Sequence, residues 1–358
     1  MIFAGLFFFV LLVVVHEYGH FLVAKRNGVE AEEFGVGFPP KLFGKTMGRG
    51  IFRTYYTLNL LPLGGFVKLK GENTADTRKG SFGAASWEVK AKIMLAGIAM
   101  NFIAAWVLLS IVAAVSLPQI IPNQFTVASD TKLVIDDVYL AGVSNEYPAG
   151  AAGLESGDKL VSVNGTIFTD SSQFAPFTKE NRGKEVSVTV DRGGERVTET
   201  FQLKADDPND IYFGASAVDR EETRSTWSAP IVGGVLVGQF SVETVKLIGS
   251  SIAALFAGDT TTASDNVAGP VGIFGAIGNL ENFTQLLFVM GIISISLAVA
   301  NALPIPALDG GRFFLTTLYE KLLRKPLKPS VENAVHGTGF ALLLGLIILI
   351  TISDISKF

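Results

Sequence analysis

The sequence predicts a membrane α-helical protein of about four transmembrane helices, with a small soluble α+β domain inserted between two membrane halves. Three observations predict it. The 358-residue chain is 49% hydrophobic and only 17% charged, where a soluble domain carries about 25% charged residues, and its mean hydropathy is +0.41. Residues 2–24, 93–117, 283–303 and 334–352 are apolar and long enough to cross a hydrocarbon core of about 30 Å. Between the second and third of these runs lies a long segment with the alternation of short strands. The divisions are 1–129 for the first membrane half, 130–218 for the soluble domain, and 219–358 for an amphipathic segment and the second membrane half.

The first run lacks a basic leader and a small-residue cleavage site, so it is expected to be retained. Residues 230–258 are apolar but carry Glu243, Lys246 and several glycines, which favours a helix lying on the membrane surface. Basic residues set the orientation. Residues 25–92 hold 12 Lys/Arg against 6 Asp/Glu, residues 305–333 hold 5 against 3, and residues 119–282 hold 11 against 22. The first two segments are therefore expected to be cytoplasmic. The third, and both termini, are expected outside the cell inner (plasma) membrane.

In the soluble domain, VYLAGV and KLVSVNG read as short strands. EVSVTVDRGGERVTETFQL alternates on both sides of Gly193 and Gly194, which marks a hairpin, and residues 171–182 suit a helix. The chain has no cysteine, which excludes disulfides and thiolate ligands, and its net charge of −4 gives no footprint for nucleic acid.

The chemistry starts in the first span, in VVVHEYGHFLVAKRN. His16 and His20 are four residues apart, which puts them about 40° apart around a helix axis, so both imidazoles reach one ion. Glu17 is turned about 100° from His16 and need not be a ligand. It is placed as a general base, in the His-Glu-x-x-His pattern of metal hydrolases. Each charged group at the centre of a span costs about 2.5–3.5 kcal/mol, so three titratable groups in five residues argue for a use over buried polar packing. A catalytic zinc needs a third protein ligand and an open position. Asp309, in NALPIPALDGGRFF at the end of the third run, is the candidate, because that end and His16 share a membrane depth. The alternative for Asp309 is a capping or turn residue. Gly310 and Gly311 are expected to form a tight turn, and His336 to be an interfacial histidine rather than a ligand. The Gly-Lys-Thr at 44–46 lacks the first glycine of a phosphate-binding loop.

These residues resemble the site-2 protease family, of the bacterial regulator-of-sigma-E protease type that carries PDZ domains. HEYGH, NALPIPALDGG, PLGGFVKLKG at 62–71, AMNF at 99–102 and GPVGI at 269–273 carry the likeness. It implies Zn2+ held by His16, His20 and Asp309, with Glu17 as the base. It also implies a membrane-associated β-hairpin containing Gly64, Gly65, Phe66 and Val67, and a substrate held by Asn301, Pro304 and Pro306. YPAGAAGLESGDKLVSVNG at 147–165 resembles a permuted PDZ domain, with Tyr212, Phe213 and Gly214 in the loop that closes its peptide groove, and there is room for one such domain.

The reading is an intramembrane zinc endopeptidase with its site near the cytoplasmic face. Its substrates are single-span membrane proteins, of the anti-sigma-factor or signal-peptide-remnant kind, with a peptide or ectodomain met by the PDZ-like domain. Two other readings stand beside it: a PDZ scaffold with a vestigial metal site, and a metal transporter. An intact base and a peptide-binding domain weigh against both.

Overall fold

The computed structural model describes residues 1–72, 76–258, 269–280, 282–325 and 327–356. In chain order the elements are α1 (Ile2–Arg26), β1 (Ala31–Met47), β2 (Thr54–Leu69), α2 (Trp87–Val115), β3 (Leu117–Pro118), β4 (Lys132–Ala141), α3 (Pro148–Ala151) and β5 (Lys159–Val163). There follow α4 (Phe174–Glu180), β6 (Glu185–Arg192), β7 (Glu195–Gln202), β8 (Ser216–Arg224) and α5 (Ala229–Ala257). The chain then forms α6 (Pro270–Gly278), α7 (Phe283–Ala302), α8 (Asp309–Thr316), a π-helical turn (Thr317–Leu322) and α9 (Pro329–Ser356). Two compact units divide the chain, one of residues 1–111 and 233–358, the other of residues 112–232.

In the first unit α1 is an unbroken apolar helix that stops abruptly. Gly28 takes φ +78°, Gly28 N–H bonds Lys25 O and Val29 N–H bonds Ala24 O, the glycine-terminated double bond of a helix C-terminus. Helix α2 runs antiparallel to α1, since Ile93 meets His20 and Asn101 meets His16. Helix α7 runs parallel to α1, because Phe283 stacks on Phe8 near one end and Asp309 meets the histidines beyond the other. Helix α9 runs antiparallel again, with His336 at the Asp309 end and Asp354 bonded to Gly272 of α6 at the opposite end. There α6 packs Ile277 against Gly5.

The expected run at 334–352 is contained in the longer helix α9, while that at 93–117 falls in α2, which starts earlier, at Trp87, and ends at Val115. Residues 230–257 lie in one continuous helix, α5, which ends before Gly258. By length and composition alone it joins α1, α2, α7 and α9 as helices apolar enough to cross a membrane, among the described residues. Its Gly233 lies against Ser110 near the end of α2. Gly269, the next described residue after 258, lies against Ile350 and Asp354. Both contacts are at the end of the helix layer where α1 begins.

β1 and β2 form a bent two-stranded sheet. Glu33 to Val36 pair with Lys68 to Gly65 on one side and with Tyr55 to Leu58 on the other. Segment 65–69 of β2 is therefore an outer strand, with one edge turned away from β1. Phe21, Phe34, Leu69, Phe82 and Met94 pack under this sheet and fix it to α1 and α2.

The second unit is a six-stranded sheet in the order β3-β8-β4-β5-β6-β7. The alternation in β6 buries Val186, Val188 and Val190 against Leu140, Leu160, Phe174 and Phe213. Gly193 and Gly194 have φ of +63° and +90°, as the two-residue turn between β6 and β7 requires. The strand β8 continues to Arg224, and residues 174–180 are the helix α4.

Candidate active site

His16 and His20 project from α1 toward α2 and are 8% and 9% exposed. Two glycines make this possible. A Cβ on Gly19 would sit 2.5 Å from Ala96 O, so its absence brings α2 against α1. A Cβ on Gly97 would sit 2.4 Å from His20 Nε2 and 2.7 Å from His16 Nε2. Gly97 thus opens the space that the imidazoles fill. One turn later, Asn101 Nδ2 lies 3.2 Å from His16 Nδ1.

Backbone and side chain of α2 decide which imidazole nitrogen faces the site. His20 Nδ1 lies 2.7 Å from Ile93 O, so it carries the proton and donates, leaving a lone pair on Nε2. Asn101 Oδ1 is buried without a partner. Turning that amide over lets Oδ1 accept from a protonated His16 Nδ1, which satisfies both groups and again leaves Nε2 bare. Asp309 Oδ2 lies 3.0 Å from His16 Nε2 and 3.2 Å from His20 Nε2, and the two Nε2 atoms are 3.2 Å apart.

With both Nδ1 atoms protonated in this way, three lone-pair atoms face one another, an arrangement suited to a cation between them. Ligands 2.0–2.1 Å from a tetrahedral zinc lie about 3.3 Å from one another. The spacing and the donor set, two imidazoles and a carboxylate, fit such an ion.

Asp309 opens α8 after the segment 303–308. Ala307 holds φ +79°, and its N–H donates to His336 Nδ1 at 2.9 Å. His336 is thus a brace for the segment before Asp309 and stands outside the cluster of His16, His20 and Asp309. Gly310 and Gly311 do not form a turn. They lie in the first turn of α8, where a Cβ would meet Leu303 O at 2.4 Å or Ile305 O at 2.0 Å. Their role is close approach to the proline segment, which pins Asp309 in place.

Glu17 is turned from the triad toward the sheet, and its Oε2 accepts the Val67 N–H at 3.1 Å. A cavity of about 230 Å3 runs from Glu17, His20 and Asp309 along Phe66, Val67 and Leu69 to Glu72 and Arg312. Gly64 and Gly65 precede this stretch in β2, and Phe66 lies over Gly35. Asn301 is half-buried at the end of α7, Pro304 is exposed, and Pro306 lines an apolar groove of about 510 Å3 against Val335, Gly339 and Leu342 of α9.

In the second unit Tyr212 and Phe213 are buried in the core rather than open to a ligand. Their segment offers backbone to its surroundings: Phe213 O accepts from Ala149 N–H and Gly214 O from Ser144 N–H. Gly214 has φ +94°, with Tyr147 packed over it.

The roles of Gly97, Asn101, Glu72 and Arg312 were not assigned from the sequence, although Asn101 and Arg312 lie in motifs quoted above. A glycine and an asparagine at i and i+4 in an apolar helix are the signal for the first two.

An apolar helix layer with a glutamate beside three convergent donors at one end suits a membrane metallopeptidase. Comparison with known proteins agrees. The model of "Peptidase family M50" matches residues 4–346. A Clostridium perfringens protein named "Putative zinc metalloprotease CPE1693" is 33% identical over 96% of this chain and 95% of its own. "Zinc metalloprotease RasP" of Shouchella clausii is 27% identical over 98% of this chain and 97% of its own. Among solved structures, the PDZ domain of an SdrC-like protein from Listeria monocytogenes is 25% identical, covers 24% of this chain and 93% of its own, and has a TM-score of 0.22. The chain belongs to peptidase family M50, the site-2 protease type, and is a multi-pass membrane metalloendopeptidase.

Proposed function

We propose that the protein cuts single-span membrane proteins within their transmembrane segments, as a step of regulated intramembrane proteolysis. The convergence of His16, His20 and Asp309 beside a base that touches the open edge of a β-strand carries this reading. A transmembrane substrate is helical, with its peptide bonds hidden, and must be unwound before it is cut. An unwound segment finds backbone partners by adding to a strand edge, and segment 65–69 is such an edge beside the base.

Zinc is the ion we assign to His16, His20 and Asp309; held there, it supplies Lewis acidity toward the scissile carbonyl and acidifies the hydrolytic water toward pKa 7. Glu17 takes the proton from that water and later gives it to the leaving amine. Ile93 O and Asn101 keep both imidazoles in the tautomer that points Nε2 inward. Gly64, Gly65, Phe66 and Val67 present the edge. Asn301, Pro304 and Pro306 are assigned to holding the substrate, with the groove on Pro306 taking apolar side chains.

Four helices, α1, α2, α7 and α9, are assigned as crossing. The contacts of Gly233 and Gly269 at the same end of the layer favour α5 as a surface-lying helix. Exposed Phe38, Leu42, Phe43, Leu58 and Leu61 on the hairpin suit contact with lipid. The excess of Lys and Arg in 25–92 puts the site near the cytoplasmic face and the PDZ-like domain outside. There, with its Tyr212–Gly214 loop, that domain meets a substrate's peptide or ectodomain and controls access. Incubating the purified protein with a panel of single-span membrane peptides, with and without a chelator, tests the reading. Chelator-sensitive cuts inside the apolar segment are expected, and cuts confined to the flanks would overturn it.

A further inference from the structure

The outer edge of β2 is short, and it is stopped by a side chain. In an antiparallel pair, alternate residues turn their N–H and C=O away from the partner strand. Val67 and Leu69 are the outward pair here, since the Val67 N–H donates to Glu17 Oε2 at 3.1 Å and the Leu69 N–H to Glu72 Oε2 at 3.1 Å. Two carboxylates thus occupy two consecutive rungs of the edge that faces the cavity.

The two carboxylates are held differently. Glu17 has only to swing toward the water to act as a base, and that motion frees the Val67 N–H. Glu72 is clamped. Arg312 donates from Nη1 to Glu72 Oε1, from Nη2 to Glu72 O at 2.8 Å, and from Nε to Glu332 Oε1 at 2.8 Å. The Arg312 side chain is 16% exposed, and its guanidinium lies 4.9 Å from the centroid of the Phe82 ring. Arg312 is also one turn from Asp309 on α8. The clamp therefore ties the end of the strand edge to the helix that carries the third donor.

We infer that Glu72 fixes the register of the substrate strand, and with it the bond that is cut. This rests on strand addition to segment 65–69, proposed above. With Leu69 capped, an incoming strand uses the outward groups of Gly65 and Val67 and stops there. With Glu72 gone, Leu69 offers one more rung. Because outward rungs repeat every two residues, the strand slides by two residues and a different peptide bond meets Glu17 and the triad. Arg312 is a positioning residue that acts through Glu72.

The chain's lack of cysteine makes the register directly readable. A single cysteine replaces Lys68, whose side chain is 64% exposed on this strand, in the full-length protein carrying Glu17→Gln. Cysteines are scanned one at a time along a single-span membrane peptide, and disulfide formation is measured. Cβ atoms opposite one another on neighbouring strands are about 4.5–5.5 Å apart, close enough for a disulfide to form with little movement. The expected pattern is a period of two with one best partner. Glu72→Ala moves that partner by two positions, whereas Glu72→Gln, which keeps an oxygen for the Leu69 N–H, leaves it in place. With Glu17 restored, product masses shift by two residues in Glu72→Ala only. Should Glu72→Ala fail to fold, Glu72→Ala with Arg312→Met, which also removes the orphaned cation, gives the same reading. A periodic pattern that Glu72→Ala leaves unmoved overturns the role of Glu72. A pattern without periodicity overturns strand addition itself.

Discussion

In the soluble unit Val186, Val188 and Val190 are shielded while Lys179 and Glu185 face outward. In the membrane unit the arrangement is inverted: Phe3, Phe340 and Leu342 are exposed, whereas His16, His20 and Asn101 are buried. The same chain thus answers to two solvents. Against water an apolar core provides the driving force. Within lipid it does not, and the helices are brought together by close backbone packing at Gly19 and Gly97 and by polar bonds between them. Buried polar atoms of the membrane unit therefore set both helix packing and chemistry, while in the soluble unit an apolar cluster forms the core.

The largest expected effect is on chemistry alone. Glu17→Gln should lower cleavage by at least about 100-fold, because an amide cannot take the proton, while zinc content stays at the wild-type level. Loss of zinc in that variant would make Glu17 a ligand. Gly97→Ala comes next. Its methyl group would lie 2.4 Å from His20 Nε2 against the rigid backbone of α2, so zinc affinity should fall by more than about 100-fold, beyond the usual effect of an outer partner. Wild-type affinity in a competition assay would show that the imidazoles are not confined between α1 and α2. Asn101→Leu removes only the partner of His16 Nδ1 and should weaken zinc by about 10-fold to 100-fold. A change below twofold would leave His16 oriented by Asp309 alone.

The smallest effect belongs to the soluble unit and should leave zinc untouched. Asp158 is 1% exposed in its side chain, accepts from Arg192 at 2.7 Å on each oxygen, and accepts the Glu155 N–H at 2.9 Å. Burial disfavours its charge, but these bonds outweigh burial and hold the carboxyl below the usual carboxylate range. A depressed folded pKa gives stability that is fully present above the unfolded value, about 3.9, and is lost as pH falls through the folded value. Hydrogen-exchange protection in residues 132–224, measured relative to the intrinsic amide rate at each pH, should therefore be unchanged from pH 7 to pH 5 and fall below about pH 4. Asp158→Asn should destabilise this unit by about 2 kcal/mol at neutral pH. Altered zinc binding in that variant would break the separation of the units.

The grouping of His16, His20 and Asp309 was legible because helical spacing alone puts His16 and His20 on one face, and because an aspartate at the end of an apolar run stands out. The sheet was expected only around 62–71, and there through the family resemblance, since GVGFPP and LPLGG lack strand alternation, whereas the sheet spans 31–69. Gly310 and Gly311 read as a turn because glycine pairs mark turns, yet here they relieve contact with residues 302–306. The clamp of Arg312 on Glu72 joins residues 240 positions apart, and no local pattern reports such a pair.

The central claim is that His16, His20 and Asp309 hold one zinc. Metal content and zinc affinity of the purified wild type and Asp309→Asn test it most directly. One zinc per chain in the wild type, with affinity lowered at least about 10-fold in Asp309→Asn, where a neutral amide replaces the carboxylate, is the predicted result. One zinc per chain with unchanged affinity in the variant would contradict it and place the third ligand elsewhere.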